Sequence, residues 1–216
     1  MKLLFIHRSV GQQIIDCVRT NQSFSELELY DFNANNNNLT DSMRSITKGS
    51  PLSVLSGDTS PAGLATLFQK AATNKHIEEI LTEFDIIAFK SCYSANNIQS
   101  IEQLEAYKKA YRGVISSYIA EHPEKKFVII SPPPRKLLFS SSQSRKLARE
   151  FSTFLNAFSR ERNNCYYFDL FRLLSEDDAL AKQYCRFFPW NQHPNLKGAQ
   201  LAGDTMADIL KSLLLK

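Results

Sequence analysis

Lys2-Leu-Leu-Phe-Ile-His-Arg-Ser-Val-Gly11 decides how this chain is built. Leu3 to Ile6 form a short, wholly apolar run of the kind a buried strand presents. The run ends at His7-Arg8-Ser9, and Gly11 permits a turn that bulkier residues resist. From Gln12 the period changes, and Ile14, Ile15 and Val18 fall on one helical face. A strand that gives way to a helix within four residues starts an open α/β sheet. A serine at the carboxyl end of such a first strand sits where these sheets place their chemistry. Helix entry adds free N–H groups and a positive dipole end, both suited to an oxyanion. Ser9 also fits the plainer role of helix cap.

Working outward, the same strand-then-helix unit recurs. Glu26 to Phe32 alternates polar and apolar residues and predicts strand two, and Asn33 to Asn38 holds five asparagines in six positions. Asparagine favours turns and left-handed backbone, so residues 33–59, with Gly49 and Gly57, read as a loop. Ser60-Pro61 starts a helix, with serine as cap and proline in the first turn. A second short helix covers about 76–83. Asp85 to Phe89 predicts a central strand three, followed by the polar loop Lys90-Ser-Cys-Tyr-Ser-Ala-Asn-Asn97. A long helix over 101–121 stops at His122-Pro123. Phe127 to Ile130 is strand four, with Pro132 to Pro134 stiffening its exit. Residues 135–143 read as a flap, and the next helix carries Leu147, Phe151, Phe154, Leu155 and Phe158 on its core face. Cys165 to Asp169 is strand five, its last carboxylate suited to capping a turn. A helical segment over about 176–184, an aromatic loop and a final helix over about 196–214 complete the chain.

Five strands alternating with helices predict a parallel sheet covered on both faces, a single-domain three-layer α/β/α arrangement spanning 1–216. Right-handed crossovers and a reversal at strand one give the order 2-1-3-4-5. Every strand exit then shares one edge, where Ser9, the asparagine loop, Lys90–Asn97 and Pro132–Pro134 converge.

Composition narrows the function. The 216 residues carry 26 basic and 22 acidic groups, and the basic ones are scattered. Lys125-Lys126, Arg160 and Arg162 read as solvated helix ends rather than a nucleic-acid footprint. No apolar run approaches the roughly 20 residues of a membrane span. The start lacks the features of a signal peptide, so the expected location is cytoplasmic if Met1 is the native start, and extracytoplasmic if an export signal has been removed. Cys17, Cys92, Cys165 and Cys185 are far apart and read as free, mostly buried thiols, with neither cysteine nor histidine pairs spaced for a metal.

A serine hydroxyl needs a base within hydrogen-bond reach, and the base must be oriented. His193 stands in the loop before the last helix, followed by Pro194. With Ser9 after strand one and His193 before the final helix, the chain resembles the SGNH (GDSL-type) hydrolase superfamily. The matching residues are His7-Arg-Ser-Val-Gly11 and His193-Pro-Asn-Leu-Lys-Gly198. The closer resemblance is to a divergent branch with His-x-Ser-x-Gly in place of Gly-Asp-Ser and a Lys-Ser-Cys loop after strand three, here Lys90-Ser91-Cys92.

That resemblance implies Ser9 as nucleophile, His193 as general base and then acid, and the Ser9 backbone N–H as an oxyanion donor. The glycine after strand two and the asparagine after strand three that the family uses are not cleanly present. Gly11, Lys90, Ser91, Asn96, Asn97 and the backbone of Asn35 to Asn38 are candidate substitutes. Arg8 and Trp190 are candidates for binding substrate. Phe187 and Phe188 suit either the same wall or the core. The family's aspartate before the histidine is absent, since Asn191 and Trp190 occupy those positions. Catalysis would then rest on a Ser–His dyad oriented by a backbone carbonyl, or borrow Asp169 or Asp204. The implied activity is ester hydrolysis on a small-molecule or glycan ester, without metal or organic cofactor. The alternative is a weak or inactive binding module of the same fold, recognising a polysaccharide or protein. The oligomeric state is not encoded in any motif.

Overall fold

The computed structural model describes residues 1–20, 27–34, 38–41, 45–46, 58–188 and 190–215. Strand β1 (Lys2–His7) runs directly into helix α1 (Val10–Thr20), followed by β2 (Glu28–Asn33). Two short strands come next, β3 (Asn38–Asp41) and β4 (Ser45–Ile46), then helices α2 (Pro61–Ala71) and α3 (Lys75–Thr82). Strand β5 (Ile86–Lys90) leads through a 3-10 turn at Tyr93–Asn96 to a helix in two parts, α4 (Ile101–Ala110) and α5 (Ser116–Glu121). Then come β6 (Lys126–Ile130), α6 (Ser142–Arg160), β7 (Cys165–Phe168) and α7 (Leu170–Leu174). A small hairpin, β8 (Ser175–Glu176) and β9 (Ala179–Leu180), precedes the last helix, α8 (Leu196–Leu214).

The sheet order is β4-β3-β2-β1-β5-β6-β7. Its five parallel strands, β2-β1-β5-β6-β7, have the expected 2-1-3-4-5 order. The asparagine-rich segment departs from the expected loop. There β3 and β4 extend the sheet antiparallel beyond β2, with Asn38 opposite Asn33. The chain thus pairs back on its own strand instead of leaving the sheet. Gly49, Gly57 and Asn35 to Asn37 lie outside the described residues.

Alternation within the central strands builds two cores. Leu4 and Ile6 of β1, Ile87 and Phe89 of β5, and Phe127 and Ile129 of β6 face α2 to α6. Leu3 and Phe5, Ile86 and Ala88, and Val128 and Ile130 face α1, α7 and α8. The strands therefore read as unbroken apolar runs because both faces are covered. Helices α1 and α8 approach closely at Gly203, where an added Cβ would lie 2.3 Å from Cys17 Cβ.

Three other local readings change. The segment over 176–184 is not helical: it is the β8–β9 hairpin, turning at Asp177 and Asp178 with φ of 50° and 62°, followed by a 3-10 turn at Lys182–Tyr184. Aspartate tolerates this left-handed backbone better than most residues. The helix over 101–121 carries a π-helical segment at Tyr111–Ile115, with Gly113 at ψ −112° inside it. The flap over 135–143 holds a 3-10 turn at Leu137–Phe139 and the start of α6.

Lys125 is not solvated. It is buried, and its Nζ donates to Thr82 O (3.0 Å) and Phe84 O (2.9 Å). Lys126 Nζ reaches Leu213 O at 2.6 Å, and Arg162 lies 3.7 Å from the centroid of the Phe158 ring. The two lysines use their long aliphatic stems as packing and direct their charge to backbone acceptors. All four thiols are free, but only Cys92 is fully buried. Among the described residues no helix is long and apolar enough to cross a membrane.

Candidate active site

The β1–α1 corner is built around Ser9. Its φ is 45°, in the left-handed region that costs an L-residue of order 1 kcal/mol or more unless its surroundings enforce it. Gly11 N–H donates to Arg8 O and Gln12 N–H to Ser9 O, both at 2.9 Å, so the turn closes within four residues. Gly11 is needed for space: a Cβ there would meet His7 Cβ at 2.3 Å. Its N–H is engaged by Arg8 O, so the expected oxyanion role for Gly11 gives way to a steric one.

Beneath the corner His7 is fully buried, with Nε2 3.0 Å from Asp31 Oδ2. Asp31 also accepts from the Arg19 guanidinium, which joins β1, β2 and α1. Burial lowers the His7 pKa, opposed by Asp31. Asn33 Nδ2 donates to Gln12 Oε1 at 3.0 Å and ties the end of β2 to α1. No sequence motif announced this network, although a histidine and an aspartate on neighbouring strands were its raw material.

Lys90, the last residue of β5, is completely buried beside the same corner. Its Nζ lies 3.5 Å from Arg8 O. Burial pushes its pKa down to about 8, with the Arg8 charge acting in the same direction and Cys92 opposing it. Ser91 is buried next to it, with no hydrogen-bond partner for its Oγ among the described residues. Asn96 donates through Nδ2 to Pro132 O (2.8 Å) and Pro133 O (2.9 Å). Both of its donors are engaged, so Asn96 fixes the Pro132–Pro134 loop instead of facing an oxyanion.

The loop carrying His193 is pinned at its base. Asn195 N–H donates to Tyr184 O (2.7 Å), its Nδ2 to Gln183 O (2.8 Å), and its Oδ1 caps α8 at Gly198 N (3.0 Å). Arg186 Nε reaches Pro194 O at 3.0 Å, and Lys136 Nζ holds Arg186 O and Phe188 O, each at 3.0 Å. Arg135 Nε donates to Gln192 Oε1 at 3.1 Å. Tyr93 stands edge-on to the His193 ring, with centroids 5.6 Å apart. Tyr93, Arg135 and Lys136 were not singled out from sequence, because a tyrosine or basic residue in a loop carries no periodic or motif signal.

Asn191 holds His193 through its side chain, not through a backbone carbonyl. Its Oδ1 accepts the His193 backbone N–H at 3.0 Å and lies 3.0 Å from His193 Nδ1. A backbone N–H only donates, so the amide oxygen must face this way. The same oxygen then requires Nδ1 to carry the ring proton, which leaves Nε2 with its lone pair. Burial, with help from the Arg186 and Lys90 charges, lowers the His193 pKa from its ordinary value, which favours the neutral ring.

The two borrowed carboxylates are committed elsewhere. Asp169 Oδ1 accepts from Arg172 N and Ser152 Oγ, each at 2.9 Å, and caps α7. Asp204 lies on α8 and accepts from Gln200 at 2.9 Å. Arg8 is half-buried next to Ser9. Trp190, Phe187 and Phe188 are exposed, at 73%, 95% and 57%, so the two phenylalanines do not belong to the core. Among the described residues no group of three or more His, Cys, Asp or Glu side chains is placed to hold a metal ion.

A histidine held by Asn191, a serine on a strained strand–helix corner and a buried lysine beside that corner stand on a three-layer α/β/α fold. Solved structures share the fold. A Streptococcus protein assigned as a platelet activating factor matches with TM-score 0.60 and 13% identity over 96% of this chain and 83% of its own. A Bacteroides fragilis protein assigned as an acylhydrolase matches with TM-score 0.60 and 10% identity over 99% and 88%. The C-terminal catalytic domain of the Streptococcus pneumoniae peptidoglycan O-acetyltransferase OatA matches with TM-score 0.52 and 9% identity over 98% and 92%. No family profile and no curated protein sequence matches the chain.

Proposed function

We propose that this protein is a serine ester hydrolase in which Ser9 is the nucleophile, His193 the base and Asn191 the residue that orients it. The observation that carries the reading is the Asn191 amide oxygen, which accepts from both the backbone and the ring of His193. A ring so held carries its proton on Nδ1 and presents Nε2 as a proton acceptor, the form a general base needs. The backbone strain stored at Ser9 supports the same reading.

In this mechanism Ser9 Oγ attacks the ester carbonyl carbon while Nε2 of His193 takes the hydroxyl proton. The carbonyl oxygen becomes an oxyanion, stabilised by the Ser9 backbone N–H and by the Lys90 charge next to the corner. Collapse breaks the bond to the alcohol oxygen, which leaves with the proton from Nε2. Water then attacks the acyl-enzyme with His193 again as base, and Ser9 is regenerated. Asn191 holds the ring but brings no negative charge, so the imidazolium of the transition state is less stabilised than beside an aspartate. The substrate class this favours is a short acyl or acetyl ester on a carbohydrate or similar polar scaffold. The neighbour named for peptidoglycan O-acetyl transfer supports that class.

The test is labelling with a serine-directed fluorophosphonate and turnover of p-nitrophenyl acetate, comparing the native chain with Ser9→Ala. Modification confined to Ser9 and loss of turnover in the variant are expected. Absence of labelling, with equal turnover in both proteins, would turn the reading to a binding module.

A further inference from the structure

Six of the nine large hydrophobic side chains exposed among the described residues lie on one side of the molecule: Leu137, Leu138, Phe187, Phe188, Trp190 and Leu196. Five of them line two depressions that share Cys185, and Trp190 packs on the Phe188 ring beside the second. Leu137 and Leu138 line a depression of about 450 Å³ together with Lys182 and Cys185. Cys185 also lines a neighbouring depression of about 490 Å³ with Arg186, Phe187, Phe188 and Leu196. The Phe187 and Phe188 rings, and those of Phe188 and Trp190, are each 5.8 Å apart. Lys136 binds the two segments together through Arg186 O and Phe188 O. Exposed apolar side chains clustered in this way mark an interaction site.

The charge around it indicates the partner. No Asp or Glu occurs between Glu124 and Glu150, or between Asp178 and Asp204, the two stretches that supply all six side chains. Of the basic residues within them, Lys182, Arg186 and Lys197 are exposed at this face, whereas Lys136 is buried on Arg186 O and Phe188 O and Arg135 is turned to Gln192. Glu176 and Asp177, from the β8–β9 hairpin, are the acidic residues that line the first depression. Exposed Phe, Trp and Leu next to basic residues are the composition that seats a protein in the headgroup region of an anionic bilayer. We propose that this face docks on a lipid surface bearing anionic headgroups, with the aromatic residues inserted and Lys182, Arg186 and Lys197 at headgroup level. The proposal stands independently of the esterase reading, and the Ser9→Ala variant serves equally well to test it.

Trp190 is the only tryptophan in the chain and reports on its own insertion. Titration with phosphatidylcholine vesicles, with and without phosphatidylglycerol, is expected to shift its emission to the blue only with the anionic lipid, and brominated lipid chains should quench it. Co-sedimentation of Leu137→Ser/Leu138→Ser and of Phe187→Ser is expected to fall roughly tenfold or more for each apolar side chain removed. Lys182→Glu/Lys197→Glu should weaken binding about fivefold per lysine and reduce its salt dependence. Far-UV circular dichroism confirms that each variant is folded. Turnover of p-nitrophenyl acetate in solution by the Leu137→Ser/Leu138→Ser variant should equal that of the native chain. Equal affinity of native and variant proteins, or no emission change with anionic vesicles, would overturn the proposal. So would a blue shift that appears with rising protein concentration alone, because a second copy would then be the occupant.

Discussion

Asn191→Asp is the most informative single change. The substitution keeps an oxygen 3.0 Å from both the backbone N–H and Nδ1 of His193, so the tautomer survives and only a charge is added. A carboxylate and an imidazolium separated by roughly 4 Å attract by about 4 kcal/mol at an effective dielectric constant of 20. His193 is only half-buried, and solvent screening reduces this to about 2 kcal/mol. That gain exists only when the ring is protonated, so it lowers the barrier and raises the histidine pKa together. The expected result is a roughly 30-fold rise in kcat/KM on the alkaline plateau, with the acid limb moved up by about 1–2 pH units. In the native chain that limb is displaced to lower pH, because burial and the Arg186 and Lys90 charges oppose protonation, and activity rises as the pH climbs through it. Asn191→Leu removes the acceptor, frees the ring to take the wrong tautomer and should cost on the order of 10²–10⁴ in kcat. The assay is a pH profile of p-nitrophenyl acetate turnover for the three proteins. An Asn191→Asp variant with an unmoved acid limb and no gain in plateau rate would refute the reasoning.

Ser9→Gly and Ser9→Ala should both abolish turnover, but the glycine variant should be about 1 kcal/mol more stable to urea, since only it accepts a φ of 45° without strain. Lys90→Met should lower kcat/KM while raising stability by up to about 3 kcal/mol at pH 7, the cost of holding a buried ammonium whose pKa has fallen from 10.5 to about 8. The sign follows from proton binding: below pH 8 the charge is present in both folded and unfolded states and the whole penalty applies. Between 8 and 10.5 the unfolded chain binds the extra proton, so native stability climbs with pH and this advantage of the methionine variant fades. Paired urea melts at about pH 7 and pH 10 measure it. Gly11→Ala, whose Cβ would sit 2.3 Å from His7 Cβ, should cost about 1–3 kcal/mol in the same melts and reduce fluorophosphonate labelling by displacing the Ser9 corner.

The sheet was legible because β1, β5 and β6 are apolar on both faces, and the change of period at Ser9 is abrupt. What escaped the sequence depended on partners distant along the chain. β3 and β4 exist because β2 offers them an edge, and no local signal separates them from an asparagine loop. The β8–β9 hairpin contains residues that suit a helix equally well, and two aspartates in left-handed conformation decide the matter. At the site, Ser9 and His193 stood out by position. The role of Asn191 did not: sequence shows a missing carboxylate, whereas the direction of an amide oxygen is set by a backbone N–H two residues on. Gly11 and Asn96 had the right residue types for oxyanion donors, but their donors are taken by Arg8 O and by Pro132 O and Pro133 O.

Lys125 and Lys136 end on main-chain oxygens of Thr82, Phe84, Arg186 and Phe188. Such acceptors have no proton to gain over the range in which carboxylates are neutralised. The clasp on the histidine loop and the seam at the opposite end of the sheet therefore hold without a carboxylate partner, whereas the knot under the serine joins His7 and Arg19 through the carboxylate of Asp31.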